Sequence, residues 1–451
     1  MVWLGSSVFI SALVFVFPGV GMVWGLCFST LFLILCKEMM GMPFFVSFFN
    51  SWVMVDYLSV LMELLVVLVL VLSLVCSVKD LFFPSVFSSE GLEGSLVAVS
   101  VCCMVFFIMG GWMSFYFFFE FSLIPTLWMI LKWGYQPERF QAVVFMVMYT
   151  VGGSLPLLVV LLFGFSLVGS DSFVLGKLVG NLNWDFPSWI WGFVILAFLV
   201  KIPIYGFHGW LPKAHVEAPL AGSMVLAGVL LKLGGFGLIR VMWVLSMYSS
   251  GFLTMVVSFS IWGGFLSCLV SMTQSDVKSI IAYSSVSHMS MVIASILSCY
   301  PSGKYGGECM MFTHGVCSPC MFALAASAYD WSQSRSVMVN TNVLRVFPLF
   351  SIFWFVFGVV NMGCPPSLNY FSEVFMFSVI KELNMLFILP LGLMCQFSCV
   401  FTIFLYGYLN HGGVSFSIWP KSILSDRYLS SFLFSSFVVL LGFLGMGYFF
   451  V

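Results

Sequence analysis

Lys201 and Lys232 are the residues best placed to do chemistry, because both lie in sequence otherwise suited to hydrocarbon. They belong to one run: Lys201-Ile-Pro-Ile-Tyr-Gly-Phe-His208, then Leu211-Pro-Lys213-Ala-His215-Val-Glu217-Ala-Pro219, then Leu230-Leu231-Lys232-Leu-Gly-Gly-Phe-Gly-Leu-Ile-Arg240. An ammonium at the centre of a bilayer costs at least ~2.5–3.5 kcal/mol on insertion scales. A chain that keeps two is predicted to use them on protons or ions. Lys201, just before Pro203, can pair with a carboxylate or give up its proton. The alternative is a side chain that snorkels to the interface. Lys232 falls mid-helix, where snorkelling has less reach.

Other ionisable residues join this set. Glu120 sits in Phe117-Phe-Phe-Glu120-Phe-Ser-Leu-Ile-Pro125. A carboxylate in hydrocarbon gains a proton readily and loses it again beside a cation. Glu120 therefore reads as a switchable proton site, or else as a cap on a broken neighbour. Glu373 lies seven residues after Pro366. It is either a second such site or an ordinary acid near a helix start. His288 and His314 lie among small and hydroxyl residues, which leave room for water. Each reads as a proton relay or as hydrogen-bonded packing. His208, His215 and Glu217 follow Lys201 in a loop, and could load protons or simply be polar. Arg240 reads as a near-surface anchor and Asp56 as interfacial. Glu63 lies two turns deeper, and no role for it follows from the sequence. Moving one charge through 100 mV costs about 2.3 kcal/mol. A change of roughly three units in proton affinity is worth about 4 kcal/mol. An ion pair that forms and breaks is therefore strong enough to work against a membrane potential.

Two tempting chemistries are excluded. Cys317-Ser-Pro-Cys320 has the spacing of a redox dithiol or half a metal site. It opens an apolar stretch with no second pair nearby, so its thiols read as packing. No phosphate loop and no G-x-G-x-x-G in a suitable βαβ unit is present. No cofactor or metal is predicted to bind this chain.

The elements that position these residues follow from composition. The 451 residues are 62% hydrophobic and 7% charged, against about a quarter charged in soluble domains. No Asp, Glu, Lys or Arg occurs in 94–119, 140–170, 241–275, 346–372 or 383–420. A span needs about 20 apolar residues. An all-α polytopic membrane protein is predicted, not a β-barrel, which would show short alternating segments. We read about fourteen transmembrane helices, near 3–17, 20–36, 53–77, 95–112, 113–131, 140–168, 187–209, 218–246, 251–272, 278–299, 308–330, 346–380, 385–408 and 430–450. No Lys or Arg precedes Lys37, so neither a signal nor a transit peptide is expected. The excess of Phe, Met, Trp, Gly and Val suggests T- and G-rich codons and an organelle-encoded gene.

Loop charge sets orientation. With the N-terminus outside, inner loops hold Lys79, Lys132, Arg139, Lys213, Lys278, Arg335, Arg345, Lys421 and Arg427, and outer loops hold Lys37, Lys177, Lys304 and Lys381. Nine against four places both termini outside. The seventh predicted helix is interrupted at Pro203 and Gly206, the twelfth at Gly363-Cys-Pro365-Pro366. Interrupted helices at matching positions point to two inverted five-helix repeats with the site at the breaks. The expected organisation is 1–93 (three N-terminal helices), 94–246 (first repeat, helices 4–8), 247–408 (second repeat, helices 9–13) and 409–451 (a loop and the last helix).

The run Leu211 to Gly237 closely resembles the subunit 4 family of NADH:ubiquinone oxidoreductase, respiratory complex I. Supporting stretches are Phe118-Phe-Glu120-Phe-Ser-Leu-Ile-Pro, Asp276-Val-Lys-Ser-Ile-Ile-Ala-Tyr-Ser-Ser-Val-Ser-His288-Met, His314-Gly and Pro365-Pro-Ser-Leu-Asn369. The resemblance implies an antiporter-like proton-translocating subunit of the membrane arm. In that family the fifth-helix glutamate pairs with the seventh-helix lysine, the eighth-helix lysine is the central relay, and the twelfth-helix residue leads to the outlet. These roles fall on Glu120, Lys201, Lys232 and Glu373, with His208, His215, His288 and His314 as relay candidates. Entry is expected near Lys213–Glu217, with passage along Lys201, Lys232, His314 and Glu373. A glutamate in the twelfth helix marks subunit 4, where its paralogues, subunits 2 and 5, carry lysine. The resemblance further implies NADH, FMN, iron–sulfur clusters and ubiquinone on other subunits, the paralogous subunits 2 and 5 and membrane lipids as neighbours, no nucleic acid, and the mitochondrial inner membrane. Ser372, where glycine is usual, Cys317, Cys320 and Glu63 depart from the pattern. Two other classes stay open at this stage: a stand-alone cation/proton antiporter, and a structural membrane-arm scaffold.

Overall fold

A computed structural model of the chain describes residues 47–50, 53–77, 91–134, 136–169, 171–173, 188–245, 251–413 and 426–442. The predicted helices at 3–17 and 20–36, and Lys37, Lys79, Lys177 and Lys421, lie outside the described residues. Among those described, eight helices are long and apolar enough to cross a membrane. Shorter apolar helices, such as Leu92–Ile108 and Pro348–Asn361, add to them.

The chain divides into two units, one of residues 1–202, 217–252 and 451, the other of 203–216 and 253–450. The first unit opens with a short antiparallel hairpin, β1 (Ser47–Asn50) and β2 (Val53–Val55). Its helices are α1 (Tyr57–Cys76), α2 (Leu92–Ile108), α3 (Trp112–Phe121), α4 (Leu123–Trp133), α5 (Arg139–Val168) and α6 (Ser188–Lys201). After 217 come α8 (Leu220–Val225), a π-helical turn (Leu226–Leu230) and α9 (Leu231–Leu245). The second unit holds α7 (Trp210–Glu217, its last residue assigned to the first unit), α10 (Gly251–Met272, its first two residues likewise), α11 (Val277–Leu297), α12 (Pro301–Ser332), α13 (Val343–Val346), α14 (Pro348–Asn361), α15 (Leu368–Leu383), α16 (Ile388–Asn410) and α17 (Asp426–Leu441).

Three local outcomes differ from the sequence expectation, each for a physical reason. The helix expected from 53 starts at Tyr57, because the Val53-Met-Val55 stretch pairs as a strand and Asp56 is extended at the N-cap. Val is favoured on such a pleated surface. The helix expected at 113–131 is divided at Ser122. Pro125 has no N–H to offer the Phe121 carbonyl four residues back, and its ring crowds that oxygen. The helix expected at 308–330 starts at Pro301, which suits a first helical turn. Gly303, Gly306 and Gly307 are not loop glycines. A Cβ on Gly303 would meet the Ser295 carbonyl at 2.5 Å, and one on Gly306 would meet Met376 at 3.1 Å. The glycines let α12 lie close against α11 and α15. The break expected at Gly363-Cys-Pro365-Pro366 is present: residues 362–367 separate two helices.

The helices differ in how deeply they are buried. Leu220–Val241 is buried throughout, while only a third of the most apolar part of Arg139–Ser166 is. The exposed face of α5 carries Val144, Met148, Leu155 and Val159, a surface suited to hydrocarbon or to another membrane subunit.

Glycines also set the first unit's packing. A Cβ on Gly234 would meet Ile202 Cγ1 at 2.6 Å, and the Ile202 nitrogen and Phe198 carbonyl both at 3.0 Å. A Cβ on Gly237 would run into the Phe198 ring. Backbone atoms cannot swing aside as a flexible side chain can. Gly234→Ala is therefore expected to separate α6 from α9 and to lower stability by ~1–3 kcal/mol, the range for overpacking. Thermal unfolding of the detergent-solubilised assembly checks this: a midpoint equal to wild type would show that the contact is not tight.

Candidate functional site

In the first unit, Lys201 occupies the last turn of α6, the end of a helix that favours a cation. Its side chain is buried. The ammonium donates to the Phe119 carbonyl and lies 3.2 Å from the centroid of the Phe119 ring. That carbonyl also accepts from Ser122 Oγ at 2.9 Å. Glu120 is within electrostatic reach of Lys201, but the two make no direct ion pair. Lys201 instead rests on the backbone and ring one residue earlier. Glu120 is half-buried, and its Oε1 is shielded from solvent without a hydrogen-bond partner.

Lys232 is fully buried at the start of α9. Its Nζ donates to the Ala227 carbonyl at 2.6 Å. Ala227 belongs to the π-helical turn, whose wider hydrogen bonding re-aims carbonyls that an α-helix would keep for its own ladder. The donor and acceptor are five residues apart, the spacing of the π turn itself. Nothing in Leu226-Ala-Gly-Val-Leu230 distinguishes it from α-helical sequence, so this support for Lys232 was not legible beforehand.

Arg240 and Asp56 also lie in the first unit. Arg240 Nη1 pairs with Asp56 Oδ2, and the guanidinium carbon lies 4.8 Å from the Phe236 ring centroid. Arg240 is buried, so it ties α9 to the start of α1 rather than anchoring at a surface. Glu63 is buried on α1, and its Oε1 has no hydrogen-bond partner.

The second unit gathers Glu373, His288 and His314. Glu373 sits near the N-terminal end of α15, whose first turn is capped by Ser367 accepting from the Tyr370 N–H at 3.4 Å. The break before it is closed by Asn369 Nδ2 donating to the Val360 carbonyl at 3.0 Å. Gly363 has a positive φ of 68°. A Cβ there would collide with the Glu373 carboxylate, so only glycine satisfies both the turn and the approach. His288 Nδ1 is 3.9 Å from Glu373 Oε1. The His288 and His314 rings are 5.6 Å apart. Three buried titratable groups from α11, α12 and α15 thus form one cluster.

His208 and His215 are also in the second unit but stand outside that cluster. His208 Nδ1 accepts from the Gly206 N–H at 3.1 Å, and its ring stacks on Tyr205 with centroids 4.8 Å apart. Gly206 has a φ of 93°, which turns the chain after the break. His215 is fully buried and stacks on Phe322 at 4.6 Å. Lys213 is exposed. The sequence reading passed over Glu308, a buried acid on α12 paired with Lys304 at 3.6 Å. Its position at a glycine-rich helix start concealed it. Among the described residues, no group of three or more His, Cys, Asp or Glu could hold a metal ion.

Buried lysines and carboxylates at broken or bulged points of membrane-spanning helices define an antiporter-like membrane subunit. Residues 110–402 match the family model for the transmembrane region of NADH:quinone oxidoreductase and Mrp antiporters. A chain of respiratory complex I from Thermus thermophilus superposes with a TM-score of 0.85 over 99% of this chain and 96% of that one, at 21% identity. A chain of the Mrp complex from Dietzia sp. gives a TM-score of 0.82 over 98% of this chain and 49% of that one, at 18% identity. At such identities the likeness is one of fold. Curated relatives named NADH-ubiquinone oxidoreductase chain 4 are more similar in sequence. The Locusta migratoria protein is 46% identical over 302 residues, 66% of each chain. The Albinaria caerulea protein is 38% identical over 77% of this chain and 80% of its own length. The Rhipicephalus sanguineus protein is 37% identical over 89% of each. This chain belongs to the NADH-ubiquinone oxidoreductase chain 4 family.

Proposed function

We propose that this chain is a proton-translocating membrane-arm subunit of respiratory complex I in the mitochondrial inner membrane. It moves protons while NADH oxidation and ubiquinone reduction proceed on other subunits, which hold the FMN and iron–sulfur clusters. The neighbours implied are the paralogous subunits 2 and 5 and membrane lipid. The observation that carries the reading is the fully buried Lys232 held on a π-turn carbonyl. A scaffold would gain nothing from an ammonium there, since an apolar side chain of similar volume would pack without the insertion cost.

We assign proton handling to two sets of residues. Glu120, Lys201 and Lys232 form the set in the first unit, and His288, His314 and Glu373 the set in the second, with His208 and His215 near the inner surface. The repeats 94–246 and 247–408 are the organisation this reading favours. Lys201 needs its partner within reach but not locked. Its bond to the Phe119 carbonyl gives it a resting place, and Glu120 offers a competing one.

Glu120→Gln tests this directly. It keeps the shape and removes the charge, so coupled turnover and proton uptake into sealed vesicles are expected to fall severalfold. Normal protons per electron in both Glu120→Gln and Lys201→Met would leave a scaffold as the better reading. Sodium–proton exchange by the purified chain alone would favour the stand-alone antiporter.

A further inference from the structure

Glu308 has no place in the roles assigned so far. It lies in the second turn of α12 and is 2% exposed. Its partner at 3.6 Å, Lys304, has a side chain that is 44% exposed. The pair therefore joins a buried carboxyl to a cation at the surface within a single helical turn. Glu308 precedes His314 by six residues, about 9 Å along the helix axis. On the loop-charge reading, this end of α12 faces outside.

Gly303 and Gly307 draw α12 onto the end of α11, where a Cβ on Gly307 would be 3.3 Å from Ser295 Oγ and one on Gly303 would be 2.8 Å from Ser298 Oγ. On α15 the facing residues beside Gly306 are Phe375 and Met376. The other titratable groups on its own helix are Lys304, Tyr305, Cys309, His314, Cys317, Cys320, Tyr329 and Asp330. The facing helices carry Lys278, Tyr283 and His288 on α11 and Tyr370, Glu373, Lys381 and Glu382 on α15.

We propose that Glu308 is the proton-release residue of the second unit, and that Lys304 is the positioning cation that drives release. Burying a carboxylate is costly, and a bound proton relieves that cost. Glu308 therefore accepts a proton arriving from the His288, His314 and Glu373 side. Protonation dissolves the pair and frees Lys304 to solvent. When the ammonium returns, it favours the carboxylate, and the proton leaves to the outer surface. One proton enters and one leaves, and Lys304 stays protonated throughout.

This inference rests on the proton-translocation reading above, and the test separates the two. Protons moved per electron and NADH oxidation rate are measured on the assembled complex in sealed vesicles. Glu308→Gln is expected to lower both at least threefold, and Glu308→Asp to restore them. Lys304→Gln removes the cation that drives release, so its turnover is expected to be slow and to recover as the outer pH rises. Wild-type stoichiometry and rate in Glu308→Gln overturn the proposal. If that variant does not assemble, a Lys304→Gln pH profile identical to wild type overturns it instead. Lys232→Ala in the same vesicles is the control. If it pumps normally, the translocation reading fails. If it stops pumping while Glu308→Gln does not, only the release assignment fails.

Discussion

Replacing Lys232 with alanine is expected to reduce proton pumping and coupled NADH oxidation at least tenfold, while the chain still assembles. The expectation follows from what the residue does and from what its removal leaves behind. Its ammonium is fully buried and held at 2.6 Å by the Ala227 carbonyl of the π turn. In the proposed mechanism, a cation there is the charge that a proton arriving or leaving nearby must sense. At ε near 20, two unit charges 4 Å apart interact by about 4 kcal/mol. Moving a proton against 100 mV takes about 2.3 kcal/mol, so losing the cation removes more than the work required. A tenfold change in rate corresponds to about 1.4 kcal/mol, a conservative share of that loss. Lys232→Met separates charge from volume: it fills the space and lacks the ammonium, and is expected to behave like the alanine variant. Full activity in Lys232→Met would show that bulk, not charge, is what this position supplies. Lys232→Arg keeps the charge, but its planar fork does not fit a single carbonyl acceptor, so partial activity is expected.

The charged residues of the site were legible because the sequence around them is not. A lysine or glutamate in hydrocarbon-compatible sequence stands out on cost, which singles out Glu120, Lys201 and Lys232, while His288 and His314 stand out by their small and hydroxyl neighbours and Glu373 by its place after a helix break. The breaks at Pro203–Gly206 and Gly363–Pro366 were visible for a similar reason, since Pro and Gly act on the backbone directly. What stayed hidden depended on packing. The π turn has no compositional mark, because an extra residue in a helix is accommodated by tertiary contact. The Lys201 contact could not be read from charge pairing, as its acceptors are the backbone and ring of Phe119. Glu308 was overlooked because three glycines nearby read as loop, although each marks a close helix contact. The β1–β2 hairpin was missed because a few apolar residues beside a long apolar helix carry no period of their own.

The tie between Asp56 and Arg240, across 184 residues of sequence, sets the second large expectation. Arg240→Leu alone is expected to destabilise the first unit by ~3–5 kcal/mol, the range for removing one partner of a buried pair. It strands the Asp56 carboxylate, whose side chain is 22% exposed, and removes the guanidinium from the Phe236 ring. Asp56 also stands at the N-cap of α1, where its own N–H donates to Ser59 Oγ at 2.8 Å. That N–H is backbone and survives substitution, so Asp56→Leu removes the pair without removing this bond. The double variant Asp56→Leu/Arg240→Leu decides between stability and specificity. With both charges gone no ion is stranded, and an apolar replacement of a buried pair is often neutral or stabilising. The double variant is thus expected to be more stable than Arg240→Leu, with a favourable coupling of 0.5–3 kcal/mol, roughly the range for residues in contact. Assembled-complex yield and unfolding midpoints of the four proteins in the cycle measure it. Strict additivity of the two single losses would mean that the pair is not coupled, and that Arg240 is held by its other contacts. Preserved stability with lost pumping in the double variant would move Arg240 from the structural frame into the proton-handling set.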